Sequence, residues 1–193
     1  MALPGRYLAR LTVEGKHYEV PLTVKPDPRF TLPSGTLEDQ LSLSLQLGER
    51  LGAVTQALLV ARSEETQLKA IKTAGAASAT VQAVQSYMTR LEALLEAPAS
   101  PGAEAAARAP LLPELQQRLE TIYTDVTRSD AAPTAVLRSA GVAALAASQS
   151  ALAGWQQLQT ELPALSARLH AEKLGVIKTG VPLPRDLNVA DEE

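Results

Sequence analysis

One stretch, residues 134 to 171, limits the fold of this chain more than any other. Alternating steps of four and three along it land on Leu137, Gly141, Ala144, Ser148, Ala151, Trp155, Leu158, Leu162, Leu165 and Leu169. Each of those positions is apolar or small, the mark of a long helix whose seam packs on other helices at shallow angles. The first half of the seam is Gly, Ala and Ser, so a neighbouring backbone can approach it closely. The second half is Trp and Leu, which fill a thicker part of a core. A helix with such a face does not stand alone in water, and the rest of the chain has to cover it. Pro163 falls inside the pattern and predicts a kink or restart near Thr160-Glu161.

Three further helical patterns are available as cover. The first runs from about Leu37 to about Thr73, with Thr36 as its expected N-cap and Glu38 and Asp39 in the turn where the helix dipole favours acids. Its seam is Leu47, Leu51, Val54, Leu58, Ala61 and Leu68, interrupted by Glu65, which is spaced for an i,i+4 pair with Lys69. The second, about Ala79 to Ala97, places Val81, Val84, Met88, Leu91 and Leu95 on one side. The third, about Leu111 to Arg128, does the same with Leu112, Leu115, Leu119, Ile122 and Val126. Between the second and third lies a loop of small residues closed by prolines, Pro98 to Pro110. Ser129 to Pro133 turns into the fourth pattern, and Gly175 is its expected stop. Four amphipathic helices with short connections predict a mainly α fold, an antiparallel up-down-up-down four-helix bundle with long first and fourth helices. In that arrangement the two long helices form a hairpin that the shorter pair covers. The tail from Val176 to Glu193, broken by prolines and ending acidic, is expected to be extended or disordered.

The beginning of the chain follows a different period. From Arg6 to Lys25 apolar residues alternate, with Tyr7, Ala9, Leu11 and Val13 answered by Tyr18, Val20, Leu22 and Val24. Glu14-Gly15 suits a two-residue turn. If Val13 faces Lys16, then Leu11 meets Tyr18, Ala9 meets Val20 and Tyr7 meets Leu22, and all of these apolar residues share one face. Pro21 marks an edge or irregular position, because it cannot donate to a ladder. Two strands alone are marginal in water, and no later segment reads as a strand. The hairpin over 1–29 therefore reads as the remnant of a sandwich, joined by a proline-rich linker (30–35) to the bundle (36–175), with Phe30 pinning the linker. The chain is expected to be the C-terminal portion of something larger.

Composition excludes more chemistry than it supports. The formal net charge of −3 leaves no basic excess for nucleic acid. Without cysteine there are no disulfides, thiolate zinc sites or cysteine nucleophiles. Polar residues break every hydrophobic run, so no membrane span is expected, and the first residues have no signal-peptide core. His17 lies on the hairpin's outward face and His170 near a helix end, far apart in sequence. No Glu-x-x-His pairing supports a metal centre. Glu92 with Glu96, and Glu64 with Glu65, read as carboxylates on solvated faces at ordinary pKa. There is no G-x-S-x-G elbow, P-loop or G-x-G-x-x-G. Trp155 reads as a core anchor. No catalytic, metal or cofactor residues are assigned. The Ala-rich part of the fourth helix leaves self-association open.

One motif is specific. Pro4, Gly5, Tyr7, Leu11, Thr12, Val13, Gly15, Lys16, Tyr18, Pro21, Leu22, Val24, Asp27, Pro28 and Arg29, followed by a Leu-rich helix, resemble the C-terminal end of bacterial propeller proteins. These carry sortilin-type or BNR-type repeats and are often labelled glycosyl hydrolases. In that family an Ig-like domain ends in such a hairpin and continues into a helical tail. The SDAAPT turn (Ser129 to Thr134) and the Leu162 to Leu165 segment are similar too. The resemblance implies a non-catalytic module whose partner is the missing N-terminal part of a parent chain or another protein. A homo-oligomeric coiled-coil adaptor is the alternative. A glycosidase label would rest on propeller repeats that this sequence lacks. Tyr7, Leu11, Tyr18, Val20 and Leu22 are the expected interaction residues. The compartment follows the parent, secreted or cell-envelope if that chain carries a signal peptide.

Overall fold

A computed structural model describes residues 2–29, 32–96, 110–128 and 131–180. The chain is mainly helical, with an antiparallel two-stranded hairpin at its N-terminal end. The hairpin strands are β1 (Gly5–Val13) and β2 (Lys16–Val24), and their register pairs Val13 with Lys16, Leu11 with Tyr18, Ala9 with Val20 and Tyr7 with Leu22, as the alternation predicts. Glu14 and Gly15 both take positive φ, 49° and 77°, the backbone that a tight two-residue hairpin turn demands.

The helices are α1 (Thr36–Ala70), α2 (Ser78–Leu95), α3 (Leu112–Thr127), α4 (Ala135–Gln159) and α5 (Leu162–Ala171). The kink expected at Pro163 is the turn at Thr160-Glu161 that separates α4 from α5. Nine of the ten seam positions in this leg are buried, and Leu137 is half-buried. Thr134 caps α4 by accepting a hydrogen bond from the Leu137 N–H at 3.1 Å. All five seam residues predicted for α3 are buried.

Helix direction departs from the up-down-up-down expectation. At one level Gln40 Nε2 donates to the Val126 carbonyl at 2.5 Å, and at another Gln116 Nε2 donates to Thr55 Oγ1 at 3.2 Å, so α1 and α3 are antiparallel. Leu43 lies against Gly141, and Glu64 against Gln159, so α1 and α4 run the same way and do not form a hairpin. Arg90 pairs with Glu161 at 2.5 Å and Thr80 with Glu172 at 2.5 Å, which sets α2 antiparallel to the α4–α5 leg. The helices thus form three legs. α1 runs up, α2 and α3 run down one after the other, and α4 with α5 runs up again. The reason lies in length: two short helices placed end to end match one long helix and cover both long seams. α1 packs most extensively on α3, not on α4.

Smaller corrections concern helix ends. Gly35, at φ 84°, precedes α1, and Thr36 is its buried first residue, making no side-chain cap. The expected stop at Gly175 comes earlier, at Lys173. That residue takes φ 59°, and the Lys173 and Leu174 N–H groups bond the His170 and Leu169 carbonyls at 3.0 and 2.9 Å, closing a Schellman motif. The chain then stays docked. Ile177 is buried in the core cluster, and the Gln67 side chain bonds both the N–H and the carbonyl of Lys178, at 2.8 and 3.1 Å. The helical unit therefore extends past residue 175. Phe30, the loop from 98 to 109, Ser129, Asp130 and the tail beyond 180 lie outside the described residues.

By length and composition alone, the stretch Ala135–Ala171 is apolar enough to cross a membrane, contrary to the expectation from its interrupted runs. Ala and Leu raise its mean hydropathy. The same residues supply the seam that faces the other legs, and the Thr160-Glu161 turn divides it.

Candidate functional site

The hairpin's two faces differ in how well they are satisfied. On one, Arg10 bonds Glu19 directly opposite, Nε to Oε1 at 2.6 Å, and Thr12 Oγ1 lies 2.9 Å from His17 Nδ1. Cross-strand pairing thus occupies the polar face, and His17 belongs to it. On the other face, Tyr7, Leu11, Tyr18, Val20 and Leu22 are 40–63% exposed, and Val13 extends the patch towards the turn. The residues singled out from the alternation are therefore brought together on one surface, and Val13 was missing from that set. Its place opposite Lys16 gave the signal. No described helix packs against either strand. The exposed apolar residues thus form one contiguous patch on the two-stranded sheet.

Carboxylates within the helices behave differently from the expectation. Glu64 is 0% exposed and sits where α1, α2 and α4 meet. The Tyr87 hydroxyl donates to Glu64 Oε2 at 2.8 Å, and Gln159 Nε2 lies 3.1 and 3.0 Å from Oε1 and Oε2 and 3.2 Å from the Tyr87 oxygen. Burial raises the Glu64 pKa, with the bonds from Tyr87 and Gln159 acting the other way. Burial and the adjacent Glu64 carboxylate push the Tyr87 hydroxyl far above its ordinary value. Glu64 thus leaves the solvated face assigned to it, and it, not Glu65, interrupts the α1 seam. Steps of three and four from Ala57 through Ala61 and Glu64 to Leu68 carried the signal. Tyr87 was masked in the same way by Met88, its half-buried neighbour. The carboxylate, the phenol and the amide close on one another in this cluster and tie α1, α2 and α4 together.

The remaining candidates stay on the surface. Glu65 pairs with Lys69, which also lies 3.8 Å from Glu92, and His170 is exposed in the last turn of α5. Among the described residues no group of three His, Asp or Glu side chains is placed to hold a metal. Trp155 is buried in the core, as its seam position predicts. An open groove between α1 and α4 is lined by Gln46, Glu49, Arg50, Val142, Leu145, Ala146 and Gln149. No protein-family model matches the chain, and no curated protein or solved structure does either.

Proposed function

We propose that this chain is a non-catalytic interaction module in which a helical bundle carries a β-hairpin whose apolar face docks on the sheet of an Ig-like domain. In this reading the domain belongs to a parent chain of the propeller type that the hairpin motif resembles. The observation that carries the proposal is the bare face of Tyr7, Leu11, Tyr18, Val20 and Leu22 beside a polar face already paired within the hairpin. Burying that face supplies the driving force, about 25 cal/mol per Å² of apolar surface removed from water. The helices act as the rigid support, and the secreted or envelope location would follow from the parent.

Reading the coding sequence immediately upstream of Met1 is the first test. An open frame encoding further strands is expected, and a stop codon directly before Met1 overturns the parent-chain reading. Given such a parent, hydrogen exchange on the longer protein should show β1 and β2 protected. Leu11→Asp or Tyr18→Asp should abolish that protection with helicity unchanged; loss of helicity instead would count against an independent docking face.

A further inference from the structure

The two edges of the hairpin are not equivalent. Antiparallel pairing alternates hydrogen-bonded pairs with pairs whose N–H and C=O groups point outward. The pair Val13–Lys16 closes the two-residue turn and is a bonded pair, so bonded pairs recur at Leu11–Tyr18, Ala9–Val20 and Tyr7–Leu22. Leu8–Pro21 then falls between them, with the Pro21 nitrogen directed away from β1. This is the one kind of ladder position where proline costs no internal bond. The outer edge of β2, formed by His17, Glu19, Pro21 and Thr23, therefore lacks a donor at its middle and carries a pyrrolidine ring there. The outer edge of β1, formed by Arg6, Leu8, Arg10 and Thr12, keeps every N–H and C=O, with nothing in the described chain beside it.

We infer that β1 pairs through this open edge with β1 of a second copy of the chain, antiparallel about a two-fold axis at Ala9. Three features select that occupant. Ala9 is the central residue of the nine in β1, so this register overlaps the whole strand. It sets Arg6 opposite Thr12 and Arg10 opposite Leu8, whereas centring on Leu8 or Arg10 brings Arg6 against Arg10 or Arg10 against itself. Like charges directly opposite are destabilising. The same register sets Tyr7 opposite Leu11, so the apolar faces of the two hairpins join into one four-stranded surface. Pro21 ends the sheet on both sides, which makes the assembly a closed dimer instead of a growing fibril. The inference rests on the reading above only in taking the hairpin as the contact element, and the joined face remains available for docking.

The absence of cysteine gives a clean test. Across the new interface Ala9 faces Ala9 in a non-bonded pair, where Cα atoms lie about 4.5 Å apart, within the range a disulfide spans. Ala9→Cys should give a covalent dimer under mild oxidation, and Val20→Cys, on the same face but on the outer strand β2, should not. Leu8→Pro removes only an outward donor from β1 and should weaken the dimer about tenfold or more, measured by sedimentation. Thr23→Pro, on the edge already blocked, should leave it unchanged. Circular dichroism reports whether each variant keeps its helices. A chain that stays monomeric at every concentration overturns the inference. So does equal crosslinking at Ala9→Cys and Val20→Cys, which would mean face-to-face stacking, and so does a dimer indifferent to Leu8→Pro, which would place association elsewhere, such as the outer side of α4. Hairpin protection by a parent domain with none of these dimer signals would leave the docking proposal standing and this one refuted.

Discussion

The hairpin and the three helical legs both sort their residues into an apolar and a polar side, yet they end in opposite states. In the helices the apolar side disappears: Leu47, Leu91, Leu112, Leu119 and Leu169 have no exposed surface. In the hairpin it remains in water, and the polar side is the one satisfied from within. The difference follows from geometry. A helix places a seam residue every three or four positions, so three legs can enclose one another. A two-stranded ribbon has one apolar face and nothing of its own to fold over it. The contrast separates the apolar surface that the chain buries by itself from the apolar surface that it leaves in water.

The largest test of the contrast is truncation at matched leucines. Leu119→Ala should cost about 2–5 kcal/mol by denaturant unfolding. Leu11→Ala in the monomer should move the same measurement by less than about 0.5 kcal/mol, and an equal cost at both would show that the hairpin is packed in solution.

Next comes the buried carboxylate. Glu64→Ala strands the Tyr87 hydroxyl and the Gln159 amide and should cost about 1–3 kcal/mol. Glu64→Gln keeps the shape and sharpens the question through pH. Because burial raises the folded-state pKa, the folded chain holds its proton more tightly than the unfolded chain. The stabilising contribution is thus full below the ordinary glutamate pKa and is lost as pH rises through the raised value. Urea midpoints across that range should fall for the native chain and stay flatter for Glu64→Gln.

A smaller, opposite effect is expected at Gly52, inside α1, where an added methyl meets nothing within 4 Å. Gly52→Ala should raise stability by about 0.5–1 kcal/mol. The smallest change is that of Leu11→Asp on the helices, with far-UV circular dichroism and thermal midpoint unchanged.

Periodicity made much of this legible. The step pattern from Leu137 to Leu169 and the hairpin register both follow from repeats in which each residue's neighbours are local. Leg direction did not, because nothing in the sequences of α2 and α3 states that they lie end to end. That depends on the loop between them and on the lengths that α1 and α4 require. Glu64 reads as part of a solvated face because Glu65 reads as the interruption of the seam, whereas Tyr87 and Gln159, supplied by two distant helices, turn Glu64 into a buried junction. The surface at Tyr7, Leu11, Tyr18, Val20 and Leu22 was legible as a set, since alternation alone puts those residues on one side.

The clasp of the Gln67 side chain on the Lys178 backbone has a mechanical consequence. It fixes the chain after α5 beside the far end of α1, while the linker from the hairpin enters at Thr36. Thirty-one residue steps of α1 lie between those points, about 46 Å of continuous helix. Whatever follows Lys178 is therefore tethered at one end of a strut whose other end carries the hairpin's linker. Pulling on both would load α1 along its axis.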